Sequence, residues 1–240
     1  MSTNKIQAII WDYDGTLVDT GRGNLNVTKK IVENVSGVNP NKFFALQNLE
    51  NYYSVNKVSK NWRELYKHEF DFNDEQTDKA GKLWTEFQLN DNTPAIFFDG
   101  IQAVIFDLAK YKQGIVSQNS KEKIISILKR NELDLYFESI IGYEEVDLLK
   151  QKPDPAGLVK CIDNLTGLLP GTVVFIGDHE TDFQCAVNTN QVFKSEKIDV
   201  KVMSIGVRFN FNSNDSEWSV LPDFRVERAK DIVEIVKSFY

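Results

Sequence analysis

The chain has 240 residues, 42% hydrophobic and 26% charged, an ordinary globular composition with room for one or two domains. Its 28 basic and 35 acidic residues give a net charge of −7 without a basic block, which argues against nucleic acid and anionic membrane as partners. The two cysteines, Cys161 and Cys185, lack metal-type spacing and read as buried thiols of a reducing compartment; with no visible signal peptide and no apolar run near the roughly 20 residues of a membrane span, a cytoplasmic location is expected.

The first stretch, Ile6 to Thr20, reads IQAIIWDYDGTLVDT. Ile9, Ile10 and Trp11 form a short, continuous, β-rich run, the pattern of a strand buried on both faces. It ends in Asp12 and Asp14, followed by Gly15 and Thr16. Open α/β sheets present ligands at the carboxyl ends of their strands, so both acids are expected at a crevice rim. Metal binding, nucleophilic attack and general acid–base work all suit them. The plain alternative is a strand end with an Asp-Gly turn.

From about 22 to 94 no strand is expected. Val27, Ile31 and Val35 mark one helix, broken at Asn39-Pro40, and Leu46, Leu49 and Tyr53 mark a second. Val58, Trp62, Leu65, Tyr66 and Phe70 mark a third, and the Asn73/Gln76 pair predicts a capping box for a fourth. Asp91 to Pro94 reads as the exit linker. Alternation then resumes: helix 101–110, strand 113–117, helix 121–131, strand 139–143, helix 155–163 capped by Asp154, and strand 172–177. Helix 181–187, strand 200–207, a strand near Val226 and helix 227–239 complete the pattern. This predicts an α/β fold: a Rossmann-like parallel-sheet core with helices on both faces, formed by residues 1–20 and 95–240, and an inserted α-helical cap at 21–94. Residues 208–222 read as a long surface loop.

Three further signals fall at strand ends. Ser117, Gln118 and Asn119 offer a hydroxyl and amides for phosphate oxygens, although Asn119 or Ser120 also suits a helix cap. Lys152, beside Pro153-Asp154-Pro155, could neutralise a carboxylate or phosphoryl group, with Lys150 as competitor. Asp178 and Asp182 are one helical turn apart after the strand TVVFIG, a spacing that suits a hard cation or an acid-rich helix start.

Taken together, DYDGTLVDT, the Ser of GIVSQNS, the Lys of QKPDP and GDHETD resemble the haloacid dehalogenase-like phosphohydrolase superfamily, and the helical insert resembles the cap of its phosphoglycolate phosphatase-like subgroup. The resemblance implies Asp12 as nucleophile, forming an aspartyl-phosphate, and Asp14 as the acid that protonates the leaving oxygen and then activates water. It implies Mg²⁺ held by Asp12, the carbonyl of Asp14, Asp178 and, directly or through water, Asp182. Ser117 and Lys152 would hold phosphoryl oxygens, with Gly15, Thr16, Gln118 and Asn119 as further phosphate or substrate contacts.

The implied activity is a Mg²⁺-dependent phosphatase acting on a small phosphorylated metabolite, as a monomer or homodimer. A phosphomutase, a phosphonate hydrolase using a cap lysine (Lys29, Lys30, Lys57, Lys60 or Lys67) and a non-catalytic phospholigand-binding regulator are the alternatives. Gln118 departs from the family pattern, which places Asn directly after the Ser. Arg22, Arg63 and His68 in the cap could reach a substrate or serve as local ion-pair partners.

Overall fold

A computed structural model describes residues 5–59, 62–209 and 218–239. The chain divides into two compact units, Met1–Val18 with Phe97–Tyr240, and Asp19–Ile96.

In the larger unit, β1 (Ile6–Trp11) lies at the centre of a six-stranded sheet. β2 (Val18–Asp19) and β3 (Ile96–Phe97) are two-residue strands at the points where the chain passes between units. The helices of the smaller unit are α1 (Gly21–Ser36), α2 (Leu49–Val58), α3 (Trp62–Glu69) and α4 (Asp74–Leu89). The larger unit continues with α5 (Ile101–Asp107), β4 (Lys112–Val116), α6 (Lys121–Arg130), β5 (Ser139–Ile141) and α7 (Ala156–Thr166). It ends with β6 (Gly171–Gly177), α8 (Glu180–Glu196), β7 (Val200–Val207), β8 (Phe224–Val226) and α9 (Ala229–Lys237).

The sheet order is β5-β4-β1-β6-β7-β8, and every pairing is parallel. β1 therefore sits where the strand order reverses, and its carboxyl end opens into the crevice that parallel sheets form at such a switch point. Alternation along β1 feeds both layers. Ala8 and Ile10 join Phe175, Leu158, Cys161 and Cys185 in one core. On Trp11 the indole N–H donates to Gln113 Oε1 at 2.9 Å, and Gln113 Nε2 donates to the Ile105 carbonyl at 3.0 Å. This closed polar pair lets an indole and an amide be buried together without an unmet donor. Both cysteines are buried and unpaired, and burial raises each thiol to about 12, so neither is a ready nucleophile.

The smaller unit has its own core, in which Val27, Ile31 and Val32 of α1 pack with Leu46, Leu65, Tyr66 and Phe70. Asn73 and Gln76 form the expected capping box of α4. Val58 ends α2 and is 73% exposed, so it is not part of the third helix as expected. No described helix is long and apolar enough to cross a membrane.

Several helix boundaries differ from expectation: α5 stops at Asp107 rather than 110, α9 spans Ala229–Lys237 rather than 227–239, and α7 and α8 are also shifted. Pro155 is the N-cap of α7, while Asp154 precedes it and accepts the Ala156 N–H at 2.9 Å. α8 continues to Glu196, well beyond Val187. Its polar run 188–191 weakens the helical signal, but burial overrides it. Thr189 is fully buried with its hydroxyl on the Cys185 carbonyl, and the Asn190 side chain pairs with both the N–H and the C=O of Val202 at 2.8 Å. Of the expected 208–222 loop, residues 210–217 lie outside the described residues.

Candidate active site

β1 delivers Asp12 to the crevice because its ladder continues one residue further: the Asp12 N–H donates to the Ile176 carbonyl of β6 at 2.7 Å. The chain then turns sharply. Leu17 and Val18 both donate to the Tyr13 carbonyl, and Gly15 donates to Val18. Gly15 has φ +79, and a Cβ there would lie 2.1 Å from Asp178 Oδ2. Glycine is thus required twice, for the left-handed backbone and for the approach of Asp178. Thr16 is fully buried, with its hydroxyl 3.5 Å from Asp178 Oδ1.

Lys152 is the hub of the site. It is 8% exposed, and its ammonium donates to Asp12 Oδ1 at 2.5 Å and to Asp182 Oδ1 at 2.6 Å. Its loop is fastened from several sides: Gln118 Nε2 donates to the Lys152 carbonyl, Asn188 Nδ2 to the Pro153 carbonyl, and Cys185 Sγ lies 3.4 Å from the Asp154 carbonyl. Lys150, the competing candidate, is exposed. Asp182 is 1% exposed; its second oxygen accepts the His179 N–H at 3.2 Å, closing a capping box at the start of α8.

Asp12, Asp178 and Asp182 each offer a carboxylate oxygen within 4.8 Å of the others. Burial first, and then repulsion from Asp182 and Asp14, raise Asp12 to about 7 against the pull of Lys152. Burial, then repulsion from Asp12 and Asp182, raise Asp178 well above the ordinary carboxylate range. Burial draws Lys152 towards the neutral amine, but its two carboxylates outweigh that and raise its pKa, so it stays charged. Three clustered carboxylates against one ammonium leave negative charge in excess, and the donors are all hard oxygens. This set fits a small divalent cation such as Mg²⁺.

Asp14 meets the residues that follow β4. Asn119 Nδ2 donates to both of its oxygens at 3.0 and 3.2 Å, and Ser117 Oγ lies 3.4 Å from Asp14 Oδ2. The structure therefore gathers Asp12, Asp14, Ser117, Asn119, Lys152, Asp178 and Asp182 at the carboxyl ends of β1, β4 and β6. Gly15 and Thr16 sit against Asp178 rather than at Ser117. Gln118 turns its amide to the Lys152 carbonyl. In the smaller unit, Arg63 pairs with Asp78, His68 lies 4.0 Å from Glu64, Lys67 pairs with Asp74, and Arg22 is exposed.

One contact escaped the sequence reading. Glu180 Oε1 accepts from the Ser219 N–H, the Ser219 hydroxyl and the Val220 N–H, while the Trp218 ring packs at a tilt against His179 and Phe183. The end of the long loop is thereby fastened to the segment carrying Asp178 and Asp182. The only local sign was a tryptophan in a polar stretch.

The site thus belongs to the doubly wound parallel α/β class, with acids at the carboxyl ends of β1 and β6 and a buried lysine bridging Asp12 to Asp182. Residues 9–193 match the family model described as haloacid dehalogenase-like hydrolase, and the chain belongs to that family. It is 25% identical to the pyrophosphatase PpaX of Listeria monocytogenes serotype 4a over 239 residues, covering 98% of this chain and 99% of the relative. Among solved structures, a haloacid dehalogenase-like family hydrolase from Streptococcus pneumoniae superposes with TM-score 0.70 at 16% identity, covering 96% of this chain and 98% of that one. A "predicted phosphoglycolate phosphatase" from Haemophilus somnus superposes with TM-score 0.69 at 16% identity, covering 96% and 97%.

Proposed function

We propose that the chain is a Mg²⁺-dependent phosphatase that hydrolyses a small phosphomonoester through an aspartyl-phosphate on Asp12. The observation that carries this reading is the pairing of a buried Asp12 with Lys152, with a second acid, Asp14, two residues on and held by Asn119. Asp12, Asp178 and the main-chain carbonyl of Asp14 would hold the cation. Asp182 would take part directly or through water, and the commitment of its oxygens to Lys152 and His179 favours the second. Bound there, Mg²⁺ would offset the repulsion between the carboxylates and an anionic ester.

In this reading, an Asp12 oxygen attacks phosphorus and the bond from phosphorus to the ester oxygen breaks. Asp14 gives its proton to that leaving oxygen. Water then attacks the aspartyl-phosphate, Asp14 takes its proton, and the bond from phosphorus to Asp12 breaks, restoring both acids. Lys152 and Ser117 would hold the phosphoryl oxygens and stabilise the charge that spreads over them. A proton-donating Asp14 suits an alkoxide leaving group, which halide displacement would not need. The Asp19–Ile96 unit would serve as the cap that excludes water.

Inorganic pyrophosphate is a second substrate reading, supported by the name of the PpaX relatives. The test is phosphate release from a panel of small phosphomonoesters and pyrophosphate, with and without Mg²⁺. Wild type should turn over at least one compound only with the metal, Asp12→Asn should be inactive, and Asp14→Asn should lose about 10²- to 10⁴-fold on alkyl esters. Activity that survives Asp12→Asn would refute the covalent step, and isomer formation without phosphate release would favour the mutase.

A further inference from the structure

We propose that Asn119 is a positioning residue that aims the Asp14 carboxyl at the leaving oxygen of the ester; this rests on the phosphatase reading above. Asn119 is 3% exposed, and each of its polar groups is committed. Its Oδ1 accepts the Ser120 N–H at 2.8 Å, which fixes the orientation of the amide: reversing it would set NH₂ against N–H and oxygen against carboxylate. Nδ2 must then face Asp14, where it donates to both oxygens. The Asn119 N–H donates to Ser117 Oγ at 3.0 Å, and its carbonyl accepts from Tyr143 at 2.9 Å. Main chain and side chain together therefore hold Ser117 and Asp14 in one fixed relation.

The chemistry favours an amide here. Asp14 must be an acid in the first step and a base in the second. A neutral N–H donor serves both a carboxylate and the carbonyl oxygen of a carboxylic acid, whereas an ammonium would hold Asp14 ionised and stop it from donating a proton. Gln118 divides the labour: its amide secures the Lys152 loop, and the next residue secures the acid.

The test compares kcat/KM for an alkyl phosphate and for p-nitrophenyl phosphate in wild type, Asn119→Ala and Asn119→Asp. This parameter reports the steps up to departure of the leaving group. An alkoxide needs the proton of Asp14; p-nitrophenolate does not. Asn119→Ala should lose about 10- to 100-fold more on the alkyl ester than on p-nitrophenyl phosphate, the scale of a misplaced catalytic group. Asn119→Asp keeps an acceptor for Ser120 but sets a carboxylate against Asp14, and should show the same selective loss even if the alanine variant fails to fold. Equal losses on both esters, or no loss on either, would overturn the assignment to Asn119 while leaving the phosphatase reading intact. A wild type that hydrolyses neither ester would overturn both.

Discussion

Replacing Asp178 with asparagine should make the metal-free protein more stable and at the same time remove its response to Mg²⁺. The carboxylate oxygens of Asp12, Asp178 and Asp182 lie within 4.8 Å of one another. Two full charges at that distance repel by about 3.5 kcal/mol at an effective dielectric of about 20. Burial, then repulsion from Asp182 and Asp14 against the pull of Lys152, carries Asp12 from 3.8 to about 7, a shift of roughly three units, or about 4 kcal/mol withheld from the fold when the group is ionised. The folded pKa lies above the unfolded one, so the native state binds more protons than the unfolded chain between the two values. Metal-free stability should therefore fall as pH rises from about 4 through about 7. Asp178 is raised in the same direction and adds to the effect.

Asp178→Asn removes one of the repelling charges. The gain should be about 1–3 kcal/mol near pH 8, and each kcal/mol moves the Tm by about 2–4 °C in a chain of this size. Thermal unfolding followed by circular dichroism in EDTA, at about pH 8 and about pH 5.5, reads this directly. Wild type should melt higher at the lower pH, and the variant should show a smaller pH response. Mg²⁺ at about one hundred times its Kd should stabilise wild type by about 2.7 kcal/mol at neutral pH and the variant far less. A metal-free variant that melts below wild type at about pH 8, or that gains as much from Mg²⁺, would refute the reasoning.

Gly15→Ala should uncouple the two halves of the site. The new methyl meets Asp178 in a left-handed turn, so the apparent Mg²⁺ affinity for activity should weaken at least about tenfold, read from metal titrations of turnover, while the unit stays folded. Lys152→Ala leaves Asp12 and Asp182 buried without their cation. The variant should lose activity and about 3–5 kcal/mol of stability in EDTA near pH 8, recovering part of that stability as acid neutralises the carboxylates, as denaturant melts at two pH values would show.

The two acid-bearing strand ends were legible because their signal is local. An apolar run that stops at a carboxylate reports both a buried strand and the point where it reaches solvent, as at Trp11-Asp12 and Gly177-Asp178. The helices at 21–89 were legible for the same reason: apolar spacing and the Asn73/Gln76 cap act within one or two turns. What only the tertiary structure decided were contacts between groups far apart in the chain. The prolines beside Lys152 favoured it over Lys150 but did not show what it meets; that is set by Asp12, 140 residues away, and by the side-chain and main-chain bonds that hold the loop. The division of work between Gln118 and Asn119 depends on which neighbour each amide meets after β1, β4 and β6 are laid side by side. The same is true of Glu180, which meets Ser219 and Val220 near the end of the long loop, and of Trp218, which meets Phe183 of α8. Propensity and periodicity reach only a few residues along the chain, so they locate the acids, whereas the partners that tune those acids are chosen by the order in which the strands assemble.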